Sequence, residues 1–421
     1  MKILYILPFV PWVGRVRSYH LIPRLGRKHE IYLLCRSSSD EEESRAQEMQ
    51  PYCRSIRCVR HSATSTRGIF KCALALPTPI PLRMAYFASR TMRNAVREAT
   101  AKFSPDLIYV ERWRALQWVP RDVGIPIISD PTDSMTLYNW RLIGAGTYWE
   151  KVIGLEEALK FRWYEPRLSR RSQLTIFCSD VDLECVQKRS PKSRFANVCN
   201  GVDTRKFFFK PPTEEEDNRV VFTGSFTYGP NRHAVNFFVK KILPIVRQRV
   251  PSVKFAVVGN QAARHFGHLN GCDGVEVLDF VPLLRPYIAR ATVAIAPMTV
   301  AVGILTKLLE AFAVGTAVVA TSRACTGLPV QNGEHLLMAD TASAFAEGVI
   351  RLLHDGELRR LLALNARRFV ERTCDWDTNA ARMEGLMQQV TQSWIPAADS
   401  QMVSLAERIP NSRRSSSSQS S

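Results

Sequence analysis

Two features that would place this protein in a specialised class are missing from its 421 residues. The ten cysteines form no C-x-x-C pair, and most of them lie in apolar runs such as LTIFCSD and FANVCN. The eight histidines are scattered along the chain. A disulfide framework or a metal site is therefore not expected, and the cysteines are typical of reduced, buried thiols in a cytoplasmic protein.

Long hydrophobic runs are also missing. A membrane-spanning helix needs roughly 18 or more uninterrupted apolar residues. Residues 291–320 come closest, but Lys307 and Glu310 interrupt them. The apolar run at the start of the chain, MKILYIL, is too short for the core of a secretory signal. We therefore expect a cytoplasmic protein whose contact with a membrane, if it makes one, is peripheral, on the inner face of the plasma membrane.

Acidic residues are too few to balance the basic ones. The chain has 57 lysines and arginines against 39 acidic residues, a net charge of +18. Residues 1–200 hold 32 basic and 19 acidic residues, so a net +13 lies in the N-terminal half. Such a field favours anionic lipid, pyrophosphate-bearing substrates or nucleic acid, although a solvated basic surface explains it equally well. No pattern of aromatic and basic residues supports nucleic acid, which we do not expect as a partner.

Strand-like and helix-like segments alternate along the chain and predict an α/β fold. Apolar runs such as KILYIL, EIYLLC and DLIYV are typical of buried parallel strands with helices on both faces of the sheet. The stretch KFFFKPPTEEEDN reads as a linker, after which the pattern starts again. We predict two Rossmann-like, doubly wound domains that face a cleft. Their expected ranges are an N-terminal domain at 1–203, a linker at 204–218, a C-terminal domain at 219–375, a helix at 376–394 that returns toward the first domain, and a disordered tail at 395–421.

One basic amphipathic segment is a candidate for membrane contact. Residues 84–102, MAYFASRTMRNAVREATAK, combine apolar and arginine positions at helical spacing. Such a helix is able to lie on an anionic membrane surface. Packing on its own domain, with the cationic side in water, is at least as good an interpretation.

A strand–loop–helix junction at residues 222–235 suggests a phosphate site. In FTGSFTYGPNRHAV, Gly224 and Gly229 allow the backbone to approach a bound group, and Asn231 is expected to be the N-cap of the next helix. Free amides at a helix start favour phosphate. Any strand–loop–helix connection in an α/β protein needs similar residues, so this pattern alone does not distinguish a phosphate site from an ordinary connection.

The segment GILTKLLEAFAVGTAVVATS places a cation and an anion in an apolar helix. We expect the helix to begin at Gly303, whose amide and those after it would bind an anion. Lys307 would then reach the same phosphates, and Glu310 would accept hydrogen bonds from a ribose diol. The alternative is an ion pair between the two side chains. A pair in such apolar surroundings loses hydration energy unless a ligand engages it, so the sequence favours a ligand site.

Taken together, these motifs resemble those of group 1 glycosyltransferases of the GT-B fold. More narrowly, they resemble sugar transferases of bacterial exopolysaccharide and PEP-CTERM systems. The resemblance covers about residues 1–393 and rests on PFVPWVGRVRSYHL (8–21), NGVDTRKF (200–207), VVFTGSFTYGPNRHAV (220–235), FAVVGN (255–260) and APMTVAVGILTKLLEAFAVGTAVVATS (296–322).

The resemblance implies a donor site in the C-terminal domain for a nucleoside-diphosphate sugar, with no other cofactor and no obligatory metal. Lys307 would neutralise the diphosphate, and Glu310, which matches the second glutamate of an E-x7-E motif, would hold the ribose. The first glutamate of that motif is replaced by Val302. The remaining donor-binding residues implied are Gly224, Ser225, Asn231, Gly303 and Ile304.

The resemblance also implies an acceptor side in the N-terminal domain. Gly14 matches the glycine after the first strand, and Arg17 on the following helix would meet the acceptor or a phosphate. The segment SDPTDSMTLYNW resembles one that presents acidic residues to the cleft, which makes Asp130 and Asp133 candidates. Asp133 or Glu111 would orient or deprotonate the acceptor hydroxyl. A surface or capping role is the plainer reading of either carboxylate.

The function implied is transfer of a sugar, with retention of configuration, to a glycan or polyprenyl-linked acceptor in exopolysaccharide or cell-surface polysaccharide synthesis. Lys307, Glu310 and Asp133 would carry the catalytic roles. The alternative is a glycosyltransferase-like binding or scaffold protein without activity, which the loss of the glutamate at Val302 motivates.

Overall fold

The computed structural model describes residues 1–12, 16–61, 66–143, 148–301 and 303–394. The expected tail at 395–421 lies outside them. Two sheets organise the chain, and helices alternate with the strands along the sequence. The predicted α/β class with two Rossmann-like, doubly wound domains is confirmed.

The N-terminal sheet has seven parallel strands in the order β3-β2-β1-β4-β5-β6-β7. Its strands are β1 Lys2–Leu7, β2 Glu30–Ser37, β3 Ser55–Arg60, β4 Leu107–Glu111, β5 Ile127–Thr132, β6 Leu174–Phe177 and β7 Phe195–Asn197. The helices are α1 Val16–Leu25, α2 Asp40–Ala46, α3 Thr66–Ala75, α4 Leu82–Phe87, α5 Arg90–Phe103, α6 Trp113–Leu116, α7 Met135–Ile143, α8 Tyr148–Ser169 and α9 Asp180–Gln187. Apolar side chains fill both faces of the sheet, as buried parallel strands require.

The C-terminal sheet has six parallel strands in the order β10-β9-β8-β11-β12-β13. Its strands are β8 Arg219–Thr223, β9 Lys254–Val258, β10 Val275–Leu278, β11 Val293–Ala296, β12 Ala317–Ala320 and β13 Leu337–Met338. The helices are α10 Gly229–Phe237, α11 Leu243–Arg249, α12 Ala262–Phe266, α13 Arg285–Ala289, α14 Thr306–Val314, α15 Ala342–His354, α16 Gly356–Thr373 and α17 Trp376–Gln392. A π-helical turn, Phe238–Ile242, joins α10 to α11.

Helix α17 leaves the C-terminal sheet and packs on the N-terminal one. Trp376, Met383 and Met387 are buried in the same apolar cluster as Ile3 and Tyr5 of β1. At the crossing point the amide of Val202 donates to the carbonyl of Cys374, 2.8 Å away. The chain thus passes between the two sheets twice, at neighbouring positions.

Three local predictions were wrong. The single helix expected at 84–102 is two helices, α4 and α5, separated by Ala88 and Ser89, both extended in backbone; Ser89 caps α5 by accepting from the amide of Met92. The apolar side of α5 packs in the domain core, so it is not available to contact a membrane.

The helix expected from Gly303 begins at Thr306, because Gly303 has a φ of +66° that a right-handed helix does not allow. Asn231 lies inside α10 and is not its N-cap.

Among the described residues, none of the helices combines the length and the apolarity that crossing a bilayer requires.

Candidate functional site

The carboxyl ends of β8 and β11, the two central strands of the C-terminal sheet, bring the predicted donor-side residues together. In a doubly wound sheet this position, where the strand order reverses, is where ligands bind. Gly224 directly follows β8. A Cβ atom on Gly224 would lie 2.7 Å from Asn231 Nδ2 and 3.1 Å from Lys307 Nζ. Only glycine therefore leaves room for both polar groups at this point of the backbone.

Asn231 connects the loop after β8 to Lys307. Its Nδ2 donates to the carbonyl of Ser225 at 2.8 Å, and its Oδ1 accepts from Lys307 Nζ at 2.9 Å. Ser225 is exposed, and its hydroxyl lies 2.8 Å from that of Thr227. Asn231 is thus not the cap that the sequence suggested. It is the side chain that fixes the position of the lysine and of the loop.

Lys307 lies over the ring of Phe222, with Nζ 3.6 Å from the ring centre. A cation at this distance is attracted by the electrons of the ring face. Burial lowers the pKa of Lys307 to about 7, although the charge of Glu310 acts in the opposite direction. The ammonium group is therefore held in place but poorly compensated, and an anion placed beside it would restore its usual basicity.

Glu310 is half-buried one turn further along α14. Burial raises the pKa of Glu310 to about 7, and Lys307 opposes that change. Within the part of the chain that the structure describes, Glu310 takes part in no hydrogen bond or ion pair, including none with Lys307. The ion pair that the sequence left open as an alternative is not formed, and the carboxylate is free to accept hydrogen bonds from a ligand.

The two domains meet at Gly303, in the loop between β11 and α14. A Cβ atom on Gly303 would clash with Oδ1 of Asp133, which follows β5 of the N-terminal sheet. Ile304 is buried next to Gly303, and a Cβ atom on Gly327 would lie 3.6 Å from Ile304 Cγ1 and 3.1 Å from Cβ of Ser179 in the N-terminal domain. The structure therefore places the predicted carboxylate Asp133 against the predicted donor loop.

Asp133 is held by partners of its own domain. Its Oδ2 accepts from Arg112 Nη1 at 3.2 Å, and its Oδ1 lies 3.3 Å from the thiol of Cys178. The side chain is 19% exposed, so it stays accessible at the domain boundary. Glu111, the other candidate base, is 2% exposed at the end of β4, beside Arg112. Of the two carboxylates, Asp133 is the more accessible.

Arg17 and Asp130, two further predicted acceptor-side residues, form an ion pair with each other. Arg17 is 3% exposed, and Asp130 has no exposed surface. Asp130 also accepts a short hydrogen bond from Tyr109, and Arg17 Nη1 donates to the carbonyl of Val198 at 2.8 Å. In this structure their charged groups are enclosed and do not face an acceptor. Gly14 and Val302 lie outside the described residues.

Sequence reasoning missed a cavity beside Asp133. It has a volume of about 250 Å³ and lies at the carboxyl ends of β4 and β5. Its lining is Arg83, Met84, Arg112, Trp113, Arg114, Pro131, Asp133, Met135, Tyr138 and Phe161. Arg112 has a φ of +71°, a left-handed conformation that is uncommon outside glycine and concentrates at functional sites. The signal in the sequence was the run ERWR, which places two arginines, Arg112 and Arg114, directly after the central strand β4.

Comparison with known proteins relates the C-terminal domain to a family. Residues 217–355 match the family described as glycosyl transferases group 1. The phosphatidyl-myo-inositol mannosyltransferase of Mycobacterium tuberculosis is 29% identical over 261 residues, which cover 58% of this chain and 61% of the relative. The chain therefore matches about three fifths of the length of that curated relative.

Solved structures match almost the whole chain. The sucrose-phosphate synthase of Thermosynechococcus elongatus has a TM-score of 0.69 at 16% identity, and the match covers 94% of this chain and all of that one. HepE of Anabaena in complex with UDP-glucose has a TM-score of 0.66 at 13% identity, with 92% of this chain and all of that one covered. The chain therefore has the two-domain GT-B fold of these proteins, and its C-terminal domain matches the group 1 glycosyltransferase family.

Proposed function

We propose that this protein is a glycosyltransferase that takes a sugar from a nucleoside-diphosphate donor bound by the C-terminal domain. The observation that carries the proposal is the arrangement of Lys307 and Glu310. Both groups have lost hydration, and they do not pair with each other. A diphosphate would pair with the ammonium group, and the ribose hydroxyls would donate to the carboxylate.

The N-terminal domain would hold the acceptor in the cavity beside Asp133. Asp133 lies against Gly303 of the donor loop and would therefore be near a transferred sugar. It would orient the acceptor hydroxyl or remove its proton. Lys307 and the backbone amides at the start of α14 would stabilise the charge that develops on the departing diphosphate. Lys307 and these amides would thus supply the positive charge that the departing diphosphate needs.

A lipid-linked or glycan acceptor in exopolysaccharide or cell-surface polysaccharide synthesis is the finer proposal. Its support is the lining of the cavity, where Arg83, Arg112 and Arg114 stand next to apolar side chains. Such a lining favours a molecule that carries both a phosphate and an apolar part. The net +13 of residues 1–200 adds to the attraction for an anion. Retention of configuration and an acceptor carried on the inner membrane face rest on the resemblance of the motifs, and a cytoplasmic location rests on the pattern of the cysteines.

The test is calorimetric titration of the wild type with UDP, GDP, ADP and dTDP. We expect one nucleotide to bind. The isosteric change Glu310→Gln should weaken that binding by about tenfold or more, because a hydrogen bond to a charged group contributes about 1.5–3 kcal/mol.

Glu347→Gln is the matched control. Glu347 lies on α15 of the same domain, is 61% exposed and pairs with the surface residue Arg249. Its loss should leave nucleotide affinity unchanged. If the wild type binds none of the four nucleotides, the donor-site proposal fails, and the protein is better described as a glycosyltransferase-like protein without this activity.

A further inference from the structure

An unusual surface of the N-terminal domain lies on α3 and α8, outside the site described above. Helix α3 has its small residues, Gly68 and Ala75, on the buried side and its large apolar residues outward. Ile69 is 68% exposed, Phe70 65% and Leu74 60%. A helix normally buries its large apolar residues, because each contributes about 1.5–3 kcal/mol when removed from water. Within the ranges that the structure describes, the large apolar side chains on the outward face of α3 therefore stay exposed to solvent.

Helix α8 presents a second apolar stripe. Val152, Leu155, Leu159 and Trp163 are each more than 40% exposed. Their spacing of three or four residues places them on one side of the helix. Lys160 joins this helix to the end of α3, because its Nζ donates to the carbonyls of Ala75, Leu76 and Ile80 at 2.8, 3.1 and 3.2 Å. We call the combined surface the apolar face; its residues are Ile69, Phe70, Leu74, Leu76, Ile80, Val152, Leu155, Leu159 and Trp163.

The charges around the apolar face are basic. From Thr66 to Arg97 the sequence has six lysines and arginines and no acidic residue. Arg67, Lys151 and Arg162 are exposed on the two helices.

The acidic side chains of α8 that the structure describes are neutralised or enclosed. Glu156 forms an ion pair with Lys160, Glu157 is 2% exposed and Glu165 has no exposed surface. An occupant of the apolar face therefore meets large apolar side chains surrounded by positive charge.

We propose that the apolar face docks the protein on an anionic lipid bilayer. Aromatic and aliphatic side chains beside lysine and arginine are the combination that inserts into the headgroup region of such a membrane. A second copy of the chain is a poorer occupant, because two basic faces on chains of net charge +18 repel each other.

The bilayer would lie next to the cavity of the N-terminal domain. Helix α8 contributes Phe161 to that cavity and Leu159 and Trp163 to the apolar face. An acceptor carried by a lipid would thus be within reach of the cavity. This last step rests on the proposed function, whereas docking on the membrane does not.

Co-sedimentation with vesicles tests the docking. The full chain is mixed with vesicles of phosphatidylcholine alone, or of phosphatidylcholine with phosphatidylglycerol. We expect the wild type to sediment with the anionic vesicles and to be released by high salt. The double change Phe70→Ser and Trp163→Ser should weaken binding by about tenfold or more, because two large apolar groups no longer insert.

The control is the double change Phe280→Ser and Leu283→Ser in the C-terminal domain. These two side chains are 66% and 71% exposed, as much as Phe70 and Trp163 at 65% and 68%. The control variant should bind vesicles like the wild type. Equal binding of both variants, or no binding of the wild type to anionic vesicles, would overturn the proposal. It would also be overturned by a wild-type dimer that Phe70→Ser and Trp163→Ser convert to a monomer, since the face would then belong to a second copy.

Nucleotide calorimetry on the same variants separates the two proposals. An unchanged circular dichroism spectrum and melting temperature in the Phe70→Ser and Trp163→Ser variant show that the fold is intact, and its nucleotide affinity should also equal that of the wild type. Selective loss of vesicle binding in that variant supports docking, whether or not any nucleotide binds. If the wild type binds a nucleotide but no anionic vesicle, the docking surface is wrong and the donor site stands.

Discussion

Two groups of charged residues lie at the carboxyl ends of the two sheets, and they differ in how their charges are satisfied. In the N-terminal domain, Arg17 and Asp130 bind each other, and Tyr109 and a backbone carbonyl supply further hydrogen bonds. In the C-terminal domain, Lys307 donates to the amide oxygen of Asn231 and lies over the ring of Phe222, and among the described residues neither Lys307 nor Glu310 forms an ion pair. Removing one member of such a buried pair as Arg17 and Asp130 leaves the other charge without compensation inside the fold, so the pair serves the fold rather than a ligand. Opposite charges held near each other but left unpaired indicate a place for a ligand.

The first prediction tests the enclosed pair and has the largest expected effect. Asp130→Ala should lower the free energy of unfolding by about 3–5 kcal/mol, because it leaves the guanidinium of Arg17 buried without its counter-charge. Chemical denaturation of variant and wild type measures the difference. The same measurement on Glu347→Ala, which removes an exposed carboxylate, should change stability by less than about 0.5 kcal/mol. If Asp130→Ala has the same free energy of unfolding as the wild type, the pair with Asp130 is not what compensates the charge of Arg17.

The second prediction removes one of the two charges of Lys307 and Glu310, which do not pair with each other, and we expect the protein to become more stable. Lys307→Met should weaken nucleotide binding by about 1.5–3 kcal/mol, because the diphosphate loses its charged partner. It should also raise the free energy of unfolding by about 1 kcal/mol at pH 7, because a lysine that has lost hydration is replaced by an apolar chain of similar length.

The sign of the stability change follows from the pKa of Lys307. That pKa is about 7 in the folded protein and 10.5 ordinarily. Between these values the unfolded chain binds more protons, so the wild type regains stability as the pH rises from 7 toward 10.5. The difference in stability between Lys307→Met and the wild type should therefore shrink from pH 7 toward pH 10.5. Thermal denaturation at several pH values measures this difference. A constant difference would contradict the lowered pKa.

The third prediction concerns the pH dependence of nucleotide affinity. Binding needs a cationic Lys307 and an ionised Glu310, and both side chains have a pKa of about 7 in the empty site. Affinity should be greatest near pH 7, falling by up to about tenfold per pH unit further away, as Lys307 loses its proton on one side and Glu310 gains one on the other.

Calorimetry across this range with Glu310→Gln isolates the acidic side of the profile. The variant cannot gain a proton at this position, so the fall in affinity below pH 7 should be reduced, while the fall above pH 7 remains. A flat profile in the wild type would mean that neither side chain changes its protonation when the nucleotide binds.

Much of the fold follows from the sequence, because buried parallel strands need continuous apolar runs. KILYIL, DLIYV and VKFAVVG form strands β1, β4 and β9 almost to the residue. Helix starts were harder to predict. Asn231 is a residue type favoured at an N-cap, yet α10 already begins at Gly229. The side-chain amide of Asn231 is hydrogen-bonded to the Ser225 carbonyl and to Lys307 instead. Local propensity could not show this, because the competing partner is 76 residues away.

From the amino-acid sequence alone it is evident which residues carry charge into apolar surroundings, since Lys307 and Glu310 interrupt an apolar segment. The order of strands and helices, from which the doubly wound fold follows, is evident in the same way. Which charges bind each other inside the protein depends on the folded arrangement. Arg17 and Asp130 lie 113 residues apart and meet because the order of the strands brings their ends together. Side-chain partners depend on distances across the fold, and no local pattern encodes them.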